Sequence, residues 1–212
     1  ILAISEQVDF FTDEDISKTM NYLINFMVRN IIIGKQTANR NEILFSSIAQ
    51  RVSEGTIINV EGILSELQNN PNAITDDQFE NLFNEYSTRN KNYIRYILRK
   101  FNNYLGKSAL TLRSPNEVHI EHINPQTPRG ESLADEKQYK DTLWRLGNLT
   151  FLLNSQNTSL SNKDYSEKKD SYRESELRIT NIIPEQFDSW GYEQIFKRQR
   201  NMAKAAREIW KL

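Results

Sequence analysis

Apolar side chains recur at helical spacing through the first hundred residues. Ile16, Met20, Leu23, Ile24, Met27, Val28 and Ile31 follow Thr12-Asp13-Glu14-Asp15, which supplies an N-cap and an acidic first turn, and Gly34 closes the run. The same period predicts a helix over about 38–52 with Ile43, Leu44, Ile48 and Val52 inward, and another over about 60–67 that stops before Asn69-Asn70-Pro71. Thr75-Asp76-Asp77 caps a further helix with Phe79, Leu82, Phe83 and Tyr86 as its stripe. Residues 90–105 carry the broadest face, built from Tyr93, Ile94, Ile97, Leu98, Phe101, Tyr104 and Leu105, with Gly106 as C-cap. Such a stripe reads as core first and as a base-stacking surface second.

The period then changes. Val118-His119-Ile120-Glu121-His122-Ile123 is a β-branched and apolar run that stops at Asn124-Pro125, and 148–153 reads as a second strand. Between them, 127–145 is an insertion, read as a solvated charged helix in preference to a DNA-facing loop. Residues 155–162 look like the capped start of a helix, which makes a strand, strand, helix unit. Residues 165–172 and 174–180 look helical and highly charged, and 184–190 is a junction. Residues 192–212 form an amphipathic closing helix with Ile195, Phe196, Met202, Ala206, Ile209 and Trp210 on one side and Lys197, Arg198, Arg200, Lys204 and Arg207 around the other.

Composition narrows the chemistry. The 212 residues contain no cysteine, which excludes disulfides, thiolate zinc sites and a cysteine nucleophile, so a metal must be held by oxygen and imidazole. No apolar run has the length of a membrane span. We therefore expect no membrane contact, and because the chain opens Ile-Leu-Ala-Ile without Met or a basic leader, we expect a fragment of a longer chain or a C-terminal half with an upstream domain or partner subunit. No Walker-type phosphate loop is present, so any nucleotide-dependent regulation belongs to that partner. The net charge is −1, yet charge is segregated: acids crowd the first fifteen residues, whereas 91–116 carries Lys91, Arg95, Arg99, Lys100, Lys107 and Arg113 and no acid. Arg95, Arg99 and Lys100 are therefore candidates for a DNA backbone, with a solvated face as the alternative.

Both histidines lie in the first strand. A neutral imidazole at a strand end takes a proton from water near neutral pH, the adjacent Glu121 carboxylate binds a hard divalent cation, and the Asn157 carbonyl completes the protein's share of the shell. Magnesium or manganese suits this donor set better than structural zinc. Alternation along a regular strand sends Glu121 and His122 to opposite faces, a conflict that a turn at Asn124-Pro125 would relax. His119, on the Glu121 side by alternation, is an extra ligand, a partner of one, or a cross-strand surface residue, with the last preferred.

Glu121-His122-Ile123-Asn124-Pro125, then Gly147-Asn148-Leu149-Thr150-Phe151-Leu152-Leu153, then Asn157 nine residues beyond Asn148, resembles the His-Me finger (HNH) nuclease pattern. The longer form, with Gln126, Leu146, Asn162 and Lys168, is similar to the C-terminal nuclease domain of GmrSD-type modification-dependent restriction endonucleases. The resemblance implies a mostly helical α+β fold, a helical bundle with an embedded ββα-metal core near 116–172 in a nuclease domain over 91–212, and a helical region over 1–90 that packs on or links to the upstream domain. It implies a DNA endonuclease of restriction or anti-phage defence in a prokaryotic-type cytosol. His122 would be the general base, Glu121 and Asn157 ligands of Mg²⁺ or another divalent cation, and Asn148 the residue that holds the loop and orients His122. Lys168 and Asn162 would lie beside the ligands or on phosphate, with a capping role as the alternative for Asn162. Asn157 stands where many such enzymes have a histidine, which implies modest metal affinity. The rival readings are a non-catalytic DNA-binding or docking module with the same fold, and an RNase or toxin nuclease.

Overall fold

The computed structural model describes residues 1–7, 9–106, 118–127, 136–153, 160 and 162–212. The chain divides into two compact units, residues 1–82 with 210–212 and residues 83–209.

The first unit contains α1 (Leu2–Ser5), α2 (Asp13–Met27), α3 (Ala38–Ser53), α4 (Val60–Gln68) and most of α5 (Asp76–Glu85). Thr12 and Asp15 close a reciprocal capping box at α2, and Asn59 accepts from the Gly62 N–H to cap α4. Phe11, Phe26, Ile48, Val52, Ile57, Val60, Ile63 and Leu67 form the core. Here the apolar periodicity needs correction. α2 runs on into a π-helical turn over Val28–Ile33, which buries Arg29 and Asn30. Arg29 donates to the carbonyls of Ile74 and Trp210 and to Asp76, and Asn30 accepts from the Ile74 N–H. These buried bonds fix the rotation of the helix, so Met20, Ile24 and Met27 face outward. α3 buries Asn41, Ile48 and Val52, which puts Ile43 on the opposite side, 73% exposed. Leu82 on α5 is likewise exposed. A Cβ on Gly34 would lie 2.1 Å from the Ile74 side chain, so glycine is required by packing.

The second unit begins with the end of α5 and continues through α6 (Lys91–Gly106), β1 (Val118–His122), α7 (Glu136–Leu143), a 3-10 turn (Leu146–Asn148), β2 (Leu149–Leu153), α8 (Tyr165–Arg173), α9 (Arg178–Gln186) and α10 (Tyr192–Ile209). The protein is thus mostly helical α+β, with a two-stranded antiparallel sheet among the described residues. β1 and β2 pair from Val118↔Leu153 to His122↔Leu149. α6 buries Ile94, Ile97, Leu98 and Phe101 as expected, while Tyr104 is exposed. α8 starts at a capping box of Asp164 and Glu167. The helix start expected at 155–162 lies outside the described residues except for Leu160 and Asn162, and Asn162 holds the left-handed backbone (φ 56°) that asparagine tolerates.

Two expected boundaries shift. Ser175 Oγ accepts from the Leu177 N–H, a local turn that competes with helix, so the helix expected at 174–180 starts at Arg178. α9 then passes through Pro184, read from sequence as a junction; the ring forfeits one hydrogen bond, but Ile179, Thr180, Ile183 and Pro184 are all buried. Among the described residues no helix is long and apolar enough to cross a membrane.

Candidate functional site

The sheet and its following turn are pinned from several sides. Arg198, placed by sequence on the polar side of the closing helix, is instead buried: it donates to the carbonyls of Leu146 (3.3 Å), Gly147 (2.9 Å), Leu149 (2.8 Å) and Ile179 (3.4 Å). Burial pushes its pKa down to about 10. A Cβ on Gly147 would meet the Ile195 carbonyl at 2.3 Å, so only glycine lets α10 approach this turn. Thr180 Oγ1 donates to the Phe151 carbonyl at 2.6 Å and lies 2.9 Å from Thr150 Oγ1, which fastens β2 to α9.

Asn148 is fully buried, and its amide is saturated. Its Oδ1 accepts from the Asn124 N–H (2.8 Å) and the Trp190 indole (3.3 Å); its Nδ2 donates to the carbonyls of Asn124 (3.3 Å) and Leu143 (3.1 Å). The Ile123 N–H donates to the Asn148 carbonyl at 2.9 Å. The Tyr139 hydroxyl of α7 donates to the Pro125 carbonyl, so the insertion helix is anchored by a buried tyrosine. The turn that follows His122 is therefore held at three successive residues.

His122 is 5% exposed. Its ring meets Trp144 edge-on at 4.6 Å, and the Gln126 amide lies 2.9 Å from Nδ1 and 3.4 Å from Nε2. Burial, and secondarily the Lys168 charge, push its pKa down to about 4, so the imidazole is neutral at neutral pH. Glu121 leaves the other face of β1 and is also buried. Its Oε1 takes the Lys168 ammonium at 2.7 Å and the Tyr172 hydroxyl at 3.3 Å, both from α8. His122 is the last paired residue of β1 and the turn comes after it, so by alternation Glu121 and His122 leave the strand on opposite faces. Lys168 links them, because its ammonium also donates to the His122 carbonyl at 2.8 Å.

Of the two expected metal ligands, Glu121 lies among the described residues. Its Oε2 has no polar partner among the described residues, and Mg²⁺ commonly binds through one or two carboxylates with water and phosphate filling the rest. No cluster of three or more His, Asp or Glu forms among the described residues, and Asn157 lies outside them. His119 is half-buried, pairs in register with Leu152, and has no polar side-chain partner among the described residues. Arg95 donates to the Val118 carbonyl at 2.7 Å and so secures the start of β1. Arg99 and Lys100 flank the Tyr96 ring at 5.7 and 5.8 Å.

Sequence reasoning gave no role to Tyr172, Trp144 or Gln126. Tyr165, Lys168 and Tyr172 all face inward from α8 at i, i+3 and i+7, a period legible within a segment whose charge concealed it. The Trp144 contact had no local signal. A family model described as the C-terminal domain of GmrSD restriction endonucleases matches residues 73–205. No curated protein matches the chain.

Proposed function

The chain belongs to the family of GmrSD restriction endonuclease C-terminal domains, and from that premise we propose that it hydrolyses DNA phosphodiester bonds with His122 as general base and a divalent cation as cofactor. The observation that carries this is His122 itself: a buried, neutral imidazole at the end of β1, beside a turn that Asn148 holds by its side chain and its backbone. A low pKa keeps the base free of its proton in the resting protein, and an approaching phosphate raises its proton affinity when the proton must be taken. Water loses a proton to His122, the hydroxide forms a bond to phosphorus, and the 3′ oxygen leaves. Asn148 acts as a positioning residue for the loop behind His122.

Glu121 and Asn157 would hold Mg²⁺ or Mn²⁺, which when bound would neutralise charge on the phosphate and the leaving oxygen. Lys168 keeps the Glu121 carboxylate in place in the interior, and its own contact with phosphate would require it to leave that carboxylate. The ββα core is assigned near 116–172 in a nuclease part over 91–212. Residues 1–90 are assigned to docking on an upstream, nucleotide-regulated domain or partner in the cytosol, and the DNA is modified or foreign.

Incubation with supercoiled plasmid and Mg²⁺ or Mn²⁺ tests the reading. Nicks or breaks that EDTA abolishes are expected. Undiminished cutting in EDTA would remove the metal, and no cutting with any metal or modified DNA would leave a docking module.

A further inference from the structure

Five of the nine described arginines of the second unit spend their guanidinium on the fold. Arg145 pairs with Glu85, Arg173 with Asp170 and Arg178 with Glu185, while Arg95 and Arg198 serve carbonyls. Arg89 differs. It is exposed, and none of its N–H donors goes to a described residue. Its guanidinium carbon lies over the half-buried Trp144 ring at 5.9 Å, and that same ring meets His122 edge-on at 4.6 Å. The backbone is fixed there as well: the Thr88 N–H donates to the Trp144 carbonyl at 3.2 Å, Ser87 bridges Arg145, and Thr88 Oγ1 accepts from the Asn90 N–H.

A cation held on an aromatic face keeps its N–H edge open to an anion, and a planar guanidinium matches phosphate oxygens in pairs. The two ring distances keep the charge close to the imidazole. With about 3.4 Å of rise per nucleotide along one strand, a cation so near falls within the first few nucleotides of a bond cut at His122.

We propose that Arg89 is a substrate-binding residue: its guanidinium, carried on Trp144 beside His122, takes a backbone phosphate flanking the bond that is cut. This rests on the nuclease reading above for the position of the cut, and on Arg89 N–H donors that no described residue takes for the contact. Trp144 is the positioning residue that carries the cation and borders the base on one edge.

Arg89→Ala and Arg89→Lys are compared with wild type and with Arg40→Ala, which removes an exposed guanidinium from the first unit. In EDTA, affinity for a labelled DNA duplex is followed by anisotropy against salt. Arg89→Ala should flatten the slope of log affinity against log salt by about 0.9, the share of one phosphate contact, while Arg89→Lys and Arg40→Ala keep the wild-type slope. With Mg²⁺, Arg89→Ala should need on the order of tenfold more DNA for half-maximal single-turnover cleavage and keep the wild-type pH profile. A wild-type slope in Arg89→Ala overturns the proposal, as does an equal drop in Arg40→Ala, which would make the effect bulk charge. A wild type that cuts, with Arg89→Ala indistinguishable from it in slope, sinks this contact alone. An Arg89-dependent slope in a protein that cuts nothing keeps the contact and sinks the hydrolytic reading; absence of salt-sensitive binding by wild type sinks both.

Discussion

The Lys168 ammonium lies 2.7 Å from Oε1 of Glu121, and the two side chains are 1% and 10% exposed. A buried pair of this kind adds little over a well-packed apolar pair, but breaking it leaves a charge without a partner. Lys168→Met should cost about 3–5 kcal/mol in urea denaturation. The double variant Glu121→Gln with Lys168→Met should recover a large part of that loss. Costs that add to within about 0.5 kcal/mol would mean that the two groups act independently.

The depressed pKa of His122 makes stability depend on pH. Its ordinary value is 6.5 and its folded value about 4, so between them the unfolded chain binds the proton first and folding stability rises with pH. The stability is complete above the ordinary value and falls as acid approaches the folded one, by roughly 3 kcal/mol in all. His122→Asn cannot titrate, so its stability curve should be flatter than wild type through that window. Parallel curves would place the imidazole in water.

Arg95 and Arg99 separate two uses of a basic side chain. Arg95 donates to the Val118 carbonyl, so Arg95→Ala should lower stability by about 1.5–3 kcal/mol, as for a hydrogen bond to a charged group. Arg99→Ala should leave stability within about 0.5 kcal/mol and flatten the salt dependence of DNA affinity. The reverse outcome would exchange their roles.

Local signals predicted much of this fold. The Thr12 capping box, the acidic start of α5, the apolar face of α6 and the branched run of β1 each follow from neighbours a few residues apart. Arg29 and Arg198 were opaque because their partners are carbonyls distant in sequence, and no local period marks a charged residue that will be buried. At the candidate site the motif singled out His122 and Asn148, and the structure joins them through Ile123 and Asn124. The Trp144 edge and the inward turn of Lys168 depend on how α7 and α8 meet the sheet, which spacing alone does not express.

Water at neutral pH is a poor nucleophile, and His122 is the group at the proposed site suited to take its proton. His122→Ala should lower single-turnover cleavage by on the order of a hundredfold or more, the usual size of a general-base contribution. DNA affinity should persist, since phosphate contacts do not involve the imidazole. His119→Ala, which loses a half-buried strand residue without a polar partner among the described residues, should cost far less. Asn148→Ala should lower both cleavage and stability, because it strands the Asn124 N–H and the Trp190 indole. Measuring cleavage, affinity and urea stability for all three decides the assignment. Equal losses at His119 and His122 would mean that both bind metal, and full activity in His122→Ala would overturn the histidine mechanism.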